Sequence, residues 1–172
     1  MARERAGRSQ GLPGLRRHSG RETNIGPPGQ IQVLWTHHRA VTGAAMSLPH
    51  ILVVDDSPSL RRMISACLRA GGYVVSEAAD GDEALELARD ARFGMLVTDQ
   101  VMPGTDGLTL IRTLRQTDAY EAIPMLMLTT EADGQVREQA RVAGASGFLA
   151  KPFDPDQLMA AVAALLDPSK VG

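Results

Sequence analysis

The sequence predicts an α/β domain: five parallel strands in one sheet, with helices on both faces. Three observations carry this. From His50 onward, short apolar runs alternate with segments of helical periodicity, five of each in about 120 residues. The apolar runs are continuous rather than alternating, as expected for strands covered on both faces. Their spacing suits βαβ units with right-handed crossovers.

The elements follow in order. Ile51–Val54 is the first strand, and Ser57-Pro58 the N-cap and first position of the first helix. Leu60, Met63, Ile64, Cys67 and Leu68 mark that helix's apolar stripe, and Gly71-Gly72 stops it. Tyr73–Ser76 is the second strand. Gly81-Asp82 precedes a second helix carrying Ala84, Leu85, Leu87 and Ala88. Met95–Thr98 is the third strand, ending at Asp99. A loop with Pro103, Gly104 and Gly107 leads to a third helix marked by Leu108, Ile111 and Leu114. Pro124–Leu128 is the fourth strand, ending in Thr129-Thr130. Val136, Ala140 and Ala143 lie on a weaker fourth helix. Gly147–Ala150 is the fifth strand, ending at Lys151-Pro152. Leu158, Val162 and Leu165 mark the fifth helix.

Aromatic residues make up 3 % of the chain, so Leu, Val, Ile, Met and Ala must build the core. Met125 and Met127 read as core filler. The single cysteine, Cys67, excludes an intrachain disulfide, which fits a reducing, cytoplasmic compartment, and its place on an apolar stripe reads as a buried inert thiol. No apolar run approaches membrane-span length. Charge is unevenly placed: residues 1–48 carry +5, without a lysine, and residues 49–172 carry −7. Residues 1–48 are rich in Arg, Gly and Pro and lack periodicity, the signature of a disordered extension. A basic arm for nucleic acid and a transit peptide are two functional readings of it. The reading preferred is translated leader sequence, with Met46 the natural initiator. His37 and His38 have no partner at metal-ligand spacing. The domain then spans 49–167, and 168–172 is a short tail.

The polar residues at the strand ends carry the chemistry. Asp55-Asp56 follow the first strand, Asp99 the third, Thr129-Thr130 the fourth and Lys151 the fifth. Ligands of open parallel sheets bind outside the carboxyl ends of the strands. If the first, third, fourth and fifth strands are neighbours, three carboxylates and one ammonium meet there. Unbalanced carboxylates raise one another's pKa. An oxygen-ligand site for Mg²⁺ resolves this, because Mg²⁺ takes one or two carboxylates, keeps waters and accepts phosphate oxygen. Lys151 and the Thr129 hydroxyl then offer a positive charge and a donor to a phosphoryl oxygen. Asp99 is the natural nucleophile, since a carboxylate can form an aspartyl-phosphate.

The stretches LVVDDSPSLRRMI, LVTDQVMPGTDGLTLIRTLR, MLMLTTEA and AGASGFLAKPF, in this order and spacing, resemble a response-regulator receiver domain. The segment from about His50 to Leu166 is similar in particular to the single-domain chemotaxis type. The resemblance implies a flavodoxin-like fold with strand order 2-1-3-4-5. It implies a signalling switch of a two-component phosphorelay, catalysing only its own phosphorylation and dephosphorylation. Asp99 accepts phosphoryl from a sensor histidine kinase or a histidine phosphotransfer protein. Asp55, Asp56, Asp99 and the Val101 backbone carbonyl hold Mg²⁺. Lys151 and Thr130 contact the phosphate, and the Lys151-Pro152 bond is cis. Thr129 and Phe148 are the switch pair: the hydroxyl moves toward the phosphoryl group and the ring rotates inward. This changes the surface of the fourth helix, fifth strand and fifth helix for output by protein contact.

Val101 stands where the chemotaxis regulator has Asn, which leaves the backbone ligand intact but bears on the lifetime of the phosphorylated state; Phe148 stands where it has Tyr and lacks the hydroxyl, so a flagellar-motor target does not follow. Arg61 and Arg62 read as a solvated face, with a kinase contact as the alternative. Glu131 reads as a surface acid or as a residue at the site mouth. After the fifth helix only Asp167–Gly172 remain, too short for a DNA-binding module, so the expectation is no DNA-binding domain, no membrane and a monomer or weak dimer. Alternatives are a shuttle passing phosphate to a second histidine and a receiver-like binding module that works without phosphate. An aspartate-based phosphatase of the haloacid dehalogenase type needs Asp-x-Asp after the first strand, which the adjacent Asp55-Asp56 does not supply.

Overall fold

The computed structural model describes residues 49–131 and 134–167, and the backbone of two short strands at 23–24 and 31–33. The strands are β1 (Thr23–Asn24), β2 (Ile31–Val33), β3 (His50–Val54), β4 (Val74–Ala78), β5 (Met95–Asp99), β6 (Met125–Thr129) and β7 (Gly147–Ala150). The helices are α1 (Pro58–Ala70), α2 (Gly81–Asp90), α3 (Gly107–Arg115), α4 (Gly134–Ala143) and α5 (Pro155–Leu166). Strands β3 to β7 are the five predicted ones. They run parallel in the order β4-β3-β5-β6-β7, which is 2-1-3-4-5 counted among the five. Beyond β7 the sheet continues antiparallel through β2 and then β1. The remainder of the 1–48 extension, with His37 and His38, and the 168–172 tail lie outside the described residues.

One boundary shift is informative. The second parallel strand, β4, reaches Ala78 rather than stopping at Ser76. It is the edge strand, paired only with β3 among the described strands and half-exposed along most of its length. Ser76 and Glu77 are therefore tolerated in it, and the apolar run underestimates its length.

Alternation along the strands sends side chains to two separate cores, as a doubly covered sheet requires. Leu52, Val54, Leu96, Met125, Met127 and Phe148 pack toward α2, α3 and α4. Ile51, Val53, Met95, Val97, Leu126 and Leu128 pack toward α1 and α5. Met125 and Met127 are fully buried core residues. Cys67 is half-buried rather than sealed in, with Sγ 3.8 Å from Met63 Sδ.

Local chemistry sets the helix starts. Asp80 caps Glu83 N at 2.8 Å, and Glu83 returns a bond to Ala79 N at 2.6 Å. Asp106 caps Thr109 N at 2.7 Å. Asp154 and Gln157 form a reciprocal capping box at 2.8 and 3.0 Å. Every one of these helix N-termini lies after the carboxyl end of a parallel strand, so the caps also fix the loops that build the site.

Two polar side chains tie the far end of the sheet. Arg115 donates to the carbonyls of Tyr120, Glu121, Ile123 and Gly144 at 2.8–2.9 Å, and to Ser146 Oγ at 3.3 Å. Tyr120 is buried, and its hydroxyl lies 2.9 and 2.7 Å from the carbonyl oxygens of Ala88 and Ala91 at the end of α2.

Candidate functional site

Asp55 is the first residue after β3 and is fully buried. Its Oδ1 accepts from Ser57 N at 2.8 Å, which shapes the turn into α1. Its Oδ2 is buried without a hydrogen-bond partner among the described residues, with Lys151 Nζ 3.5 Å away. Asp56, next to it, is exposed. Asp99 closes β5 and is buried; its Oδ1 accepts from Lys151 Nζ at 2.8 Å and from Gln100 N at 2.9 Å. One carboxylate oxygen from each of Asp55, Asp56 and Asp99 lies within 4.8 Å of the other two. The strand ends thus bring together the three predicted carboxylates and the predicted lysine.

Electrostatics sharpens the picture. Burial pushes the Asp55 carboxyl above its ordinary value. The Ser57 N–H and Lys151 oppose this, while Asp99 and Asp56 add to the rise. A buried carboxylate oxygen without a hydrogen bond, facing two further carboxylates, suits a hard divalent cation. The donor set is all oxygen, so the residues present fit Mg²⁺.

Thr129 closes β6 and is buried. Its hydroxyl contacts Gln100 Oε1, lies 2.8 Å from the Glu131 carbonyl oxygen and accepts from Glu131 N at 3.0 Å. Thr130, Leu60, Lys151, Pro152 and Phe153 line an open cleft of about 300 Å³ beside the carboxylates. The Lys151-Pro152 peptide is cis. Val101 lies on the loop after β5 with 69 % of its surface exposed. Glu131 is exposed.

Phe148 is buried in the α4 side of the core, and its ring already lies inward. The guanidinium of Arg137 on α4 sits 5.3 Å from the ring centroid.

Sequence reasoning missed the roles of three residues, Gln100, Gly107 and Arg137. Gln100 shares the Thr129 hydroxyl; its place beside Asp99 at a strand end is a signal that was available. Gly107 opens α3 so close to β5 that a Cβ would overlap the Asp99 carbonyl oxygen. Arg137 covers Phe148, and no periodicity pairs those two. Arg61 differs from the expected solvated face: it is half-buried and partnered. Its Nη1 donates to the Asp55 carbonyl at 2.5 Å, and its Nε is 3.7 Å from Glu77 Oε2. Arg62 is exposed, as expected.

Fold and site together define a doubly wound α/β domain with one acidic, lysine-flanked pocket at the carboxyl edge of its sheet. The chain belongs to the response regulator receiver domain family, whose model matches residues 51–163. It is similar to the chemotaxis protein CheY of Pseudomonas aeruginosa, 40 % identical over 104 residues, covering 60 % of this chain and 84 % of that protein. It is also similar to the transcriptional regulatory protein ResD of Bacillus subtilis, 37 % identical over 116 residues, covering 67 % of this chain and 47 % of ResD. The chain spans about half the length of ResD and of two further proteins it matches. Among solved structures, chemotaxis protein CheY4 of Vibrio cholerae superposes with TM-score 0.68 at 39 % identity, covering 70 % of this chain and all of that one. Among the described residues no helix is long and apolar enough to cross a membrane.

Proposed function

We propose that this receiver domain is a Mg²⁺-dependent phosphorylation switch in which Asp99 takes a phosphoryl group from a phosphohistidine of a sensor kinase or phosphotransfer protein. The observation that carries this is the convergence of Lys151 on Asp99 beside the Asp55 oxygen that no hydrogen bond satisfies. Lys151 and the Gln100 N–H both hold Asp99 Oδ1, which orients the carboxylate and leaves Oδ2 for attack on phosphorus. The new O–P bond forms as the N–P bond breaks, and the electron pair leaves on the donor imidazole. Asp55, Asp56, Asp99 and the Val101 carbonyl are the groups that would hold Mg²⁺. When bound, the ion supplies charge neutralisation at the transferring oxygens. Lys151 neutralises a further phosphoryl oxygen, and the Thr129 and Thr130 hydroxyls are the donors within reach of that side.

Output runs through the surface of α4, β7 and α5, with Thr129 and Phe148 linking it to the site. The test is phosphorylation of the intact chain by a small acyl-phosphate donor, with and without Mg²⁺, read by mass. A Mg²⁺-dependent, base-labile phosphate lost in Asp99→Asn supports the switch. A folded wild-type chain that takes no phosphate points to a receiver acting by phosphate-independent contact.

A further inference from the structure

We infer that Arg61 is a positioning residue for the cation site, fixing the Asp55–Asp56 peptide so that Asp56 faces the other two carboxylates. This rests on reading Asp55, Asp56 and Asp99 as a divalent-cation site. Asp56 is the member of the trio with least support. It is exposed, and its carboxylate makes no hydrogen bond to another described residue. Its direction is therefore set by the backbone on either side of it.

That backbone is pinned twice. On the carboxyl side, Ser57 N is held by Asp55 Oδ1 at 2.8 Å. On the amino side, the Asp55 carbonyl is held by Arg61 Nη1 at 2.5 Å. Without the second pin the 55–56 peptide plane can tilt, and the Asp56 Cα–Cβ vector tilts with it.

Arg61 is itself well placed for this. Its side chain is 17 % exposed. Glu77 on β4, the strand paired with β3, faces it at 3.7 Å and also pairs with Arg69 at 3.0 Å. Glu77 serves two purposes here. It fixes the guanidinium, and it offsets a positive charge that would otherwise oppose a cation at the neighbouring carboxylates. The planar fork reaches a carbonyl and a carboxylate together, which a lysine ammonium at the same site cannot do with one set of rotamers.

Groups that orient metal ligands typically change affinity by about 10–100-fold when removed. Mg²⁺ binding to the full chain, followed by calorimetric titration without any phosphodonor, tests the idea. Arg61→Met is expected to raise the Mg²⁺ Kd by about tenfold. Arg61→Lys, which keeps a donor for one of the two acceptors, should raise it by about threefold and so restore part of the loss. A purely structural arginine would lower Tm and leave the Kd of the folded protein unchanged; that outcome in both variants overturns the inference. Where Arg61→Met fails to fold, Arg61→Lys alone decides, an unchanged Kd counting against it. Asp56→Asn in the wild-type background separates the two levels of the argument. If Mg²⁺ binding survives that substitution, the cation site itself is misassigned. If binding is lost there but unaffected by Arg61, only the role of Arg61 fails.

Discussion

Lys151 Nζ lies 2.8 Å from Asp99 Oδ1, reaching from the end of β7 across β6 to the end of β5. The ammonium lies between two buried carboxylates, since Asp55 Oδ2 is 3.5 Å from the same nitrogen. Lys151→Met removes the cation and leaves both acids facing each other. Breaking a buried pair in this way costs about 3 kcal/mol, less here because Lys151 keeps some solvent contact. The expected result is a lower Tm in metal-free buffer, much of it recovered at saturating Mg²⁺, with acyl-phosphate labelling of Asp99 slowed at least about tenfold even then. Thermal melts with and without Mg²⁺, beside a labelling time course, check both halves.

Asp55 gives a pH signature. Its folded-state carboxyl is raised above 3.8, so the unfolded chain releases that proton first. The stability its neutral form provides is present below about pH 4 and is lost as pH rises through the folded value. Asp55→Asn, which never ionises, should therefore gain on the wild type as pH rises from 4 to 7 in metal-free urea titrations. Saturating Mg²⁺ should reverse the order, because only the carboxylate binds the ion well. A difference that shrinks as pH rises would contradict the assignment.

Gly107 carries a steric prediction. A methyl group there overlaps the Asp99 carbonyl oxygen, so either α3 or the end of β5 must move. Gly107→Ala should cost about 2 kcal/mol in urea denaturation, as overpacking does. It should also slow Asp99 labelling, whereas alanine at Gly134, whose Cβ meets nothing within 4 Å, should leave labelling unchanged.

Arg115 is a stability prediction remote from the site. Its guanidinium satisfies four backbone carbonyls, from Tyr120 to Gly144. Arg115→Ala leaves them short of donors and should cost about 3 kcal/mol, with Mg²⁺ affinity of the folded fraction unchanged. Arg115→Lys should recover less than half, because one ammonium cannot reproduce the fork. Chemical denaturation and a Mg²⁺ titration read the two quantities separately.

The parallel strands were legible because β3, β5, β6 and β7 are buried on both faces and need continuous apolar runs. Site convergence was legible for a related reason: once those strands are neighbours, Asp55, Asp99, Thr129 and Lys151 all fall at the same edge. What stayed hidden depends on side chains meeting across the sequence. Arg61 and Glu77 lie on an adjacent helix and strand, and nothing in the spacing distinguishes that pair from two solvated charges. Arg115 finds carbonyls, which have no sequence signature. The two short strands β1 and β2 are three residues or fewer, too short to show any period. The Arg137 guanidinium over the Phe148 ring is a contact between a helix and a strand that no spacing announces.

The Thr129 hydroxyl owns a single proton. In this conformation Gln100 Oε1 and the Glu131 carbonyl both stand ready to accept it, and Glu131 N donates back to the same oxygen. Any newcomer at Asp99 that draws the hydroxyl toward itself must part it from both acceptors, and an oxygen carried far enough away also leaves the Glu131 amide without this partner. The threonine therefore acts as a clasp on the chain leading into α4. Its opening should be audible as faster deuterium uptake at one amide, before any larger rearrangement of the helix becomes visible.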